Sequence, residues 1–152
     1  MRTHRNAKLR LLRAQPLFAD CTRRQLKAVA AVADQIIVAP GKVLASQDAD
    51  GGELVAIVRG SVAVRRGRVL VARLHEGDFF GEIALVTGRP RTATVTATSW
   101  VDALVIEGHA FRRLLEIAPS IRAKVDQAVA ARTGGRASTS AFGSTSGHTT
   151  SA

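Results

Sequence analysis

From Ile36 to Ile106 the chain is built of short β-branched runs separated by turn signals every several residues, and that rhythm limits the folds open to it. Leu54-Val55-Ala56-Ile57-Val58, Val62-Ala63-Val64 and Val69-Leu70-Val71 are strand candidates, and Thr92 to Ala97 and Trp100 to Ile106 continue the series. The turns fall at Pro40-Gly41, Asp48 to Gly52, Arg66-Gly67 and Glu76-Gly77-Asp78. An α/β fold would place helices of about 10–15 residues between such runs. None is present, so the pattern predicts a mainly β chain with flanking helices, an antiparallel sandwich, jelly roll or barrel.

The flanks are helical. Thr22 and Gln25 form a capping-box pair, and Leu26, Val29, Ala30 and Ala33 recur on one face, which predicts a helix over 22–34. After the strands, Phe111, Leu114, Leu115 and Ala118 restore the helical period until Pro119 ends or kinks it. A second helix is expected over about 120–132, with Ile121, Val125, Ala128 and Val129 on one side. Residues 1–15 read as a basic N-terminal arm with helical character, and residues 133–152 as a Gly/Ser/Thr-rich tail too poor in apolar groups to order itself.

At 152 residues the chain suits one domain that needs no staple. Its lone cysteine, Cys21, reads as a packed thiol in a reducing compartment. No apolar run approaches the roughly 20 residues of a membrane span, and no secretory signal opens the sequence, so a cytoplasmic protein is expected. The formal net charge is +10. Arg2, Arg5, Lys8, Arg10 and Arg13 precede any acid, a pattern that suits nucleic acid, an anionic membrane surface, or simply a solvated basic face.

Catalytic signatures are absent. His4, His75, His109 and His148 lie far apart, without the spacings of a zinc site, and neither a G-x-S-x-G elbow nor a G-x-x-x-x-G-K-[ST] loop occurs. The expectation is a protein that is not an enzyme and carries no metal or cofactor.

One segment stands apart: Phe80-Gly81-Glu82-Ile83-Ala84-Leu85-Val86-Thr87-Gly88-Arg89-Pro90-Arg91-Thr92-Ala93-Thr94-Val95. It breaks the strand rhythm with about one turn of helix formers, entered through Gly81 and left through Gly88 and Pro90. Amide groups at such a helix start attract an anion, and Arg91 adds a planar fork suited to phosphate oxygens. Glu82 belongs beside a phosphate only if it accepts from a sugar hydroxyl. Phosphate and ribose together describe a nucleotide. The same residues are also compatible with a plain Glu82–Arg91 ion pair, although an exposed pair is worth only about 0–1 kcal/mol. Phe79, Phe80 and Trp100 read as packing aromatics rather than base stackers.

This run resembles the phosphate-binding cassette of the cyclic nucleotide-binding domain family. Pro16-Leu17-Phe18, Pro40-Gly41, Ile57 to Val62, Gly77-Asp78, and Phe111, Leu114, Leu115 and Pro119 extend the likeness over residues 16–130. The resemblance implies a domain over 16–132, a jelly-roll-like β-roll of eight strands (about 36–106), with the cassette at 80–95 and helices at about 108–132. It assigns Glu82 to the ribose 2′-hydroxyl and Arg91 to the cyclic phosphate. By the same resemblance the backbone amides of Ala84 and Leu85, with Gly81 permitting close approach, complete the phosphate cradle, Ile83 and Ala93 belong to the ligand-binding set, and Thr92 reaches the phosphate or a purine edge. cAMP is favoured over cGMP. Arg122, Val125 and Arg132 are the candidate lids over the base, since the last helix holds no aromatic. The expected function is a stand-alone cyclic nucleotide sensor whose ligand moves the C-terminal helix and is read by another protein. The alternative is a nucleic-acid or anionic-membrane adaptor that works through the basic arm.

Overall fold

The computed structural model describes residues 2–46, 52–81 and 93–133, without the side chains of residues 2–5, 132 and 133. The turn expected at Asp48 to Gly52 therefore keeps only Gly52, and the tail from 134 lies outside the described residues.

Two four-stranded antiparallel sheets form the body. The strands are β1 (Ala33–Val38), β2 (Val43–Ala45), β3 (Glu53–Arg59), β4 (Val62–Arg66), β5 (Val69–Leu74), β6 (Phe79–Phe80), β7 (Thr94–Ala97) and β8 (Val101–Glu107). One sheet runs β1-β8-β3-β6 and the other β2-β7-β4-β5, so strands distant in sequence lie side by side, as in a β-roll. The helices are α1 (Arg2–Arg13), a 3₁₀ turn at Pro16–Phe18, α2 (Arg23–Val32), α3 (Gly108–Ile117) and α4 (Pro119–Thr133).

Within the first sheet, β3, β6 and β8 are buried on both faces, whereas β1 at its edge is partly exposed. Along β3 and β8, Val55, Ile57, Val101 and Ala103 face the second sheet, while Leu54, Ala56, Leu104 and Ile106 join the helical layer with Leu12, Phe18, Val29, Phe111 and Ile121. That is why Leu54 to Val58 reads as an unbroken apolar run rather than an alternating one. The second sheet is covered on its inner face alone, by Val62, Val64, Ala72, Leu74 and Val95.

The expected helix at 22–34 spans Arg23–Val32, and its capping box is complete: Gln25 N–H donates to Thr22 Oγ1 at 3.1 Å, and Thr22 N–H donates to Gln25 Oε1 at 2.9 Å. The helix ends early because Ala33 turns to extended backbone (φ −94°, ψ 133°) and starts β1 directly, pairing with Ile106. The basic N-terminal segment is a helix seated on the core. Leu9 and Leu12 are buried, and Lys8 Nζ donates to the carbonyls of Ala30 (3.1 Å) and Ala33 (2.7 Å) at the end of α2. A cation there also meets the negative end of the helix dipole.

Gly60 carries the chain from one sheet to the other at φ +100°, and a Cβ at this position would stand 2.2 Å from the Trp100 carbonyl oxygen. Gly67, in the two-residue turn between β4 and β5, also has a left-handed φ (+58°), but nothing lies within 4 Å of its would-be Cβ. Gly67→Ala should therefore cost about 1–2 kcal/mol, the backbone term alone. Gly60→Ala should cost about 3 kcal/mol or more, because a carbonyl must also shift. Urea denaturation of the two variants measures the difference, and equal losses would contradict the close approach.

Glu107 caps α3 by accepting from the Ala110 N–H at 3.1 Å and contacts His109 Nδ1 at 2.8 Å. Hydrogen bonds from the His109 backbone and ring, and from Ala110, hold its carboxyl down at about 2. A folded-state value below the ordinary 4.5 means that the cap stabilises the fold above that pH and fades as pH falls toward 2. Glu107→Ala should flatten the pH dependence of stability across that window.

Candidate functional site

The cassette run begins in one sheet and ends in the other. β6 pairs with β3 through Val55↔Phe80 and Ala56↔Phe79, whereas β7 lies between β2 and β4, with Val95 opposite Val64 and Thr94 opposite Arg65. Residues 82–92 therefore connect the edge strand of the first sheet to an inner strand of the second. Gly81, the last described residue before them, is half-buried at φ +103°, where an L-residue is strained. Ala93, the first after them, is buried in the inter-sheet core. Glu82, Ile83, Ala84, Leu85, Arg91 and Thr92 lie outside the described residues, as does the short helix expected over Glu82 to Leu85. What is described is the frame that delivers them.

That frame is fixed by a turn. Ile57 N–H donates to the Asp78 carbonyl and Gly77 N–H to the Ile57 carbonyl, both at 2.9 Å. The buried Asp78 carboxylate accepts from His75 N–H at 2.8 Å, closing the turn that Glu76-Gly77-Asp78 announces. The loop ahead of β6 is thus tied to the doubly buried strand β3.

Phe79 and Phe80 follow, and both are buried as the sequence predicts. Because successive strand residues point to opposite faces, Phe79 enters the helical layer and Phe80 the inter-sheet core. One dipeptide, directly ahead of Gly81, touches both cores. Sequence reasoning finds these rings as packing residues but not this division, which needs the sheet to be covered on both sides. Trp100, by contrast, is exposed.

The candidate lids are placed differently from one another. Val125 is fully buried in the helical layer, so it is a packing residue here and not a free cover. Arg122 is exposed and pairs with Asp126 at 3.4 Å. Arg132 is on the last turn of α4, where only the backbone is described. The helix is itself held to the N-terminal segment: Lys124 Nζ donates to the Pro16 carbonyl and pairs with Asp20 at 3.1 Å.

The basic helix offers less free charge than its sequence suggests. Lys8 is bonded to the end of α2, and Arg13 donates to the carbonyls of Cys21 (2.7 Å) and Ala19 (3.4 Å), while Arg10 is exposed. The side chains of Arg2 and Arg5 lie outside the described residues. Burial pushes the Cys21 thiol up, against smaller opposing effects of Ser120, Arg13 and Lys124. Among the described residues, no group of three His, Cys, Asp or Glu side chains could hold a metal ion, and no helix is long and apolar enough to cross a membrane.

Comparison with known proteins adds to this frame. Residues 35–118, more than half of the chain, match the family described as the cyclic nucleotide-binding domain. A cAMP-dependent protein kinase regulatory subunit from Dictyostelium discoideum is 38% identical over 82 residues, covering 49% of this chain and 25% of that protein. The chain thus spans about a quarter of that relative. The regulatory domain of Toxoplasma gondii PKA, co-crystallised with cAMP, superposes with a TM-score of 0.75 at 21% identity, over 82% of this chain and 49% of that one. The regulatory subunit of a cAMP-independent protein kinase A from Trypanosoma brucei superposes equally well, with a TM-score of 0.75 at 20% identity, over 82% and 45% of the two chains. Shared shape establishes the fold and leaves the ligand to the residues of the cassette.

If Phe79 links the cassette to the helices, Phe79→Leu should change the helical layer while leaving the inter-sheet core intact. The expected stability loss is about 1–2 kcal/mol, against about 3–5 kcal/mol for Phe79→Ala. Thermal unfolding gives the losses. Amide exchange slowed or unchanged in α2 and α3 of Phe79→Leu would contradict the link.

Proposed function

The chain belongs to the cyclic nucleotide-binding domain family, and from that premise we propose that it is a cyclic nucleotide-responsive regulatory module that binds cAMP in preference to cGMP through residues 81–93. The supporting observation is the placement of that run. It bridges the two sheets of the roll, entered at a left-handed glycine and left at a buried alanine, with both ends anchored in packed strands.

In this reading the Arg91 guanidinium pairs with the cyclic phosphate, and the backbone amides from Ile83 to Leu85 share its charge. Gly81 lets the backbone approach closely. Glu82 accepts from the ribose 2′-hydroxyl, and Thr92 offers its hydroxyl to the phosphate or the purine. With Val125 committed to the core and Arg122 paired to Asp126, Arg132 is the remaining candidate to cover the base. The work is binding rather than catalysis, in a cytoplasmic setting that suits the single buried thiol.

Transmission follows from the packing. A cassette drawn in around the phosphate pulls on Gly81 and hence on Phe79 and Phe80, and Phe79 seats among the helices that also hold α4. Ligand shifts the helices only by as much as it prefers one arrangement over the other. The rearranged helical surface is then read by another protein.

Calorimetric titration with cAMP and with cGMP tests the reading. Arg91→Ala should weaken cAMP binding by about 2–5 kcal/mol, the loss expected when one member of a buried charged pair is removed. Glu82→Gln should abolish the preference for cAMP over 2′-deoxy-cAMP while leaving phosphate recognition in place. Equal affinity of the wild type and Arg91→Ala would overturn the assignment, and a cGMP preference would overturn the base choice alone.

A further inference from the structure

The longest acid-free stretch of the strand region runs from residue 54 to residue 75, and it contains Arg59, Arg65, Arg66, Arg68 and Arg73. Four of these five lie on one hairpin. β4 and β5 are joined by Gly67-Arg68, and β5 is the outer strand of its sheet, so the hairpin stands at an edge. Arg65, Arg66, Arg68 and Arg73 are all exposed and, among the described residues, none forms an ion pair.

Beside them are two exposed aliphatics, Val69 at 64% and Leu70 at 40%. The ladder explains why. β5 faces the inter-sheet core with Ala72 and Leu74, but the register shifts between Val64 and Arg65, so that the next pairs are Arg65↔Leu70 and Arg66↔Val69. Successive residues of β5 point to opposite faces, and both aliphatics lie beyond the irregularity at the exposed end of the hairpin, each directly across from an arginine. An isolated exposed aliphatic needs no explanation, but two on a hairpin that also carries four exposed arginines form a composite surface.

We propose that this hairpin tip is a peripheral docking surface for an anionic phospholipid membrane. Arginines pair with lipid phosphates at the headgroup level while Val69 and Leu70 dip toward the acyl boundary. The tip pairs each aliphatic with a cation, which suits a soft amphipathic surface. A nucleic-acid backbone would use the charge and leave the aliphatics idle. The basic helix α1 is the poorer candidate, because Lys8 and Arg13 are already bonded within the fold. The inference is independent of the nucleotide pocket.

Co-sedimentation of the full chain with phosphatidylcholine vesicles, with and without phosphatidylserine, tests it. The wild type should bind only the phosphatidylserine vesicles and release as salt rises. R65Q/R66Q/R68Q should lose about fivefold per arginine, or roughly a hundredfold in all, which corresponds to about 1 kcal/mol for each cation near an anionic surface. R65K/R66K/R68K should keep most of the binding. V69S/L70S, with all charges intact, should lose about tenfold. All of these side chains are exposed, and unchanged melting of the variants shows that the fold is kept. Wild-type binding in R65Q/R66Q/R68Q would overturn the proposal. So would loss of binding in R2Q/R5Q/R10Q, which would place the surface on α1. Tight binding of a DNA duplex, with vesicle binding unaffected by V69S/L70S, would overturn it in favour of nucleic acid.

Discussion

The burial of both faces of β3 and β8, the inner strands of the β1-β8-β3-β6 sheet, is the constraint from which the rest of the structure follows. β3 and β8 carry apolar side chains to the second sheet on one side and to the helices on the other. Neither layer can be removed without exposing apolar side chains of β3 and β8, which have no polar face in their middle to offer water. The helices are therefore half of the core, and the cassette grows from the edge strand of that sheet. A change at the cassette meets a rigid middle layer with packed side chains on both sides, and close packing of this kind transmits displacement rather than absorbing it.

Positive charge is used in two ways. Lys8, Arg13 and Lys124 donate to backbone carbonyls of Ala30, Ala33, Cys21 and Pro16. These bonds tie α1 to α2, and α4 to the N-terminal 3₁₀ turn. Among the described residues, the hairpin arginines form no ion pair. A count of cations by sequence region makes the first 13 residues look like the interacting surface. The β4–β5 edge carries four further exposed arginines, none in an ion pair among the described residues.

The parts of the fold that depend on local chemistry were legible in the residues. Thr22 and Gln25 specify a helix start whose two reciprocal bonds are present, and the run from Leu54 to Val58 specifies a strand, found within β3. Parts that depend on tertiary context were not. β2 and β6, of three and two residues, are too short to show a period. The Ala-rich stretch before Ala33 favours helix, yet pairing with Ile106 takes that residue into β1. Nothing in the order of residues says that Lys8 reaches Ala33, or that Val125 is spent on packing. For the site, Gly81 and Ala93 are placed by the frame, and the contact residues between them rest on the motif. Its glycines, acid and arginine carry a chemical meaning that periodicity does not.

Cys21 sits where the 3₁₀ turn meets α2, buried beside Ser120 and Lys124 of the last helix, and burial pushes its thiol up. An alkylating reagent should reach that sulfur only when the packing around it opens. The single native thiol is therefore a chemical stopwatch for the opening of the layer that would have to move, and it records that event without any label being added.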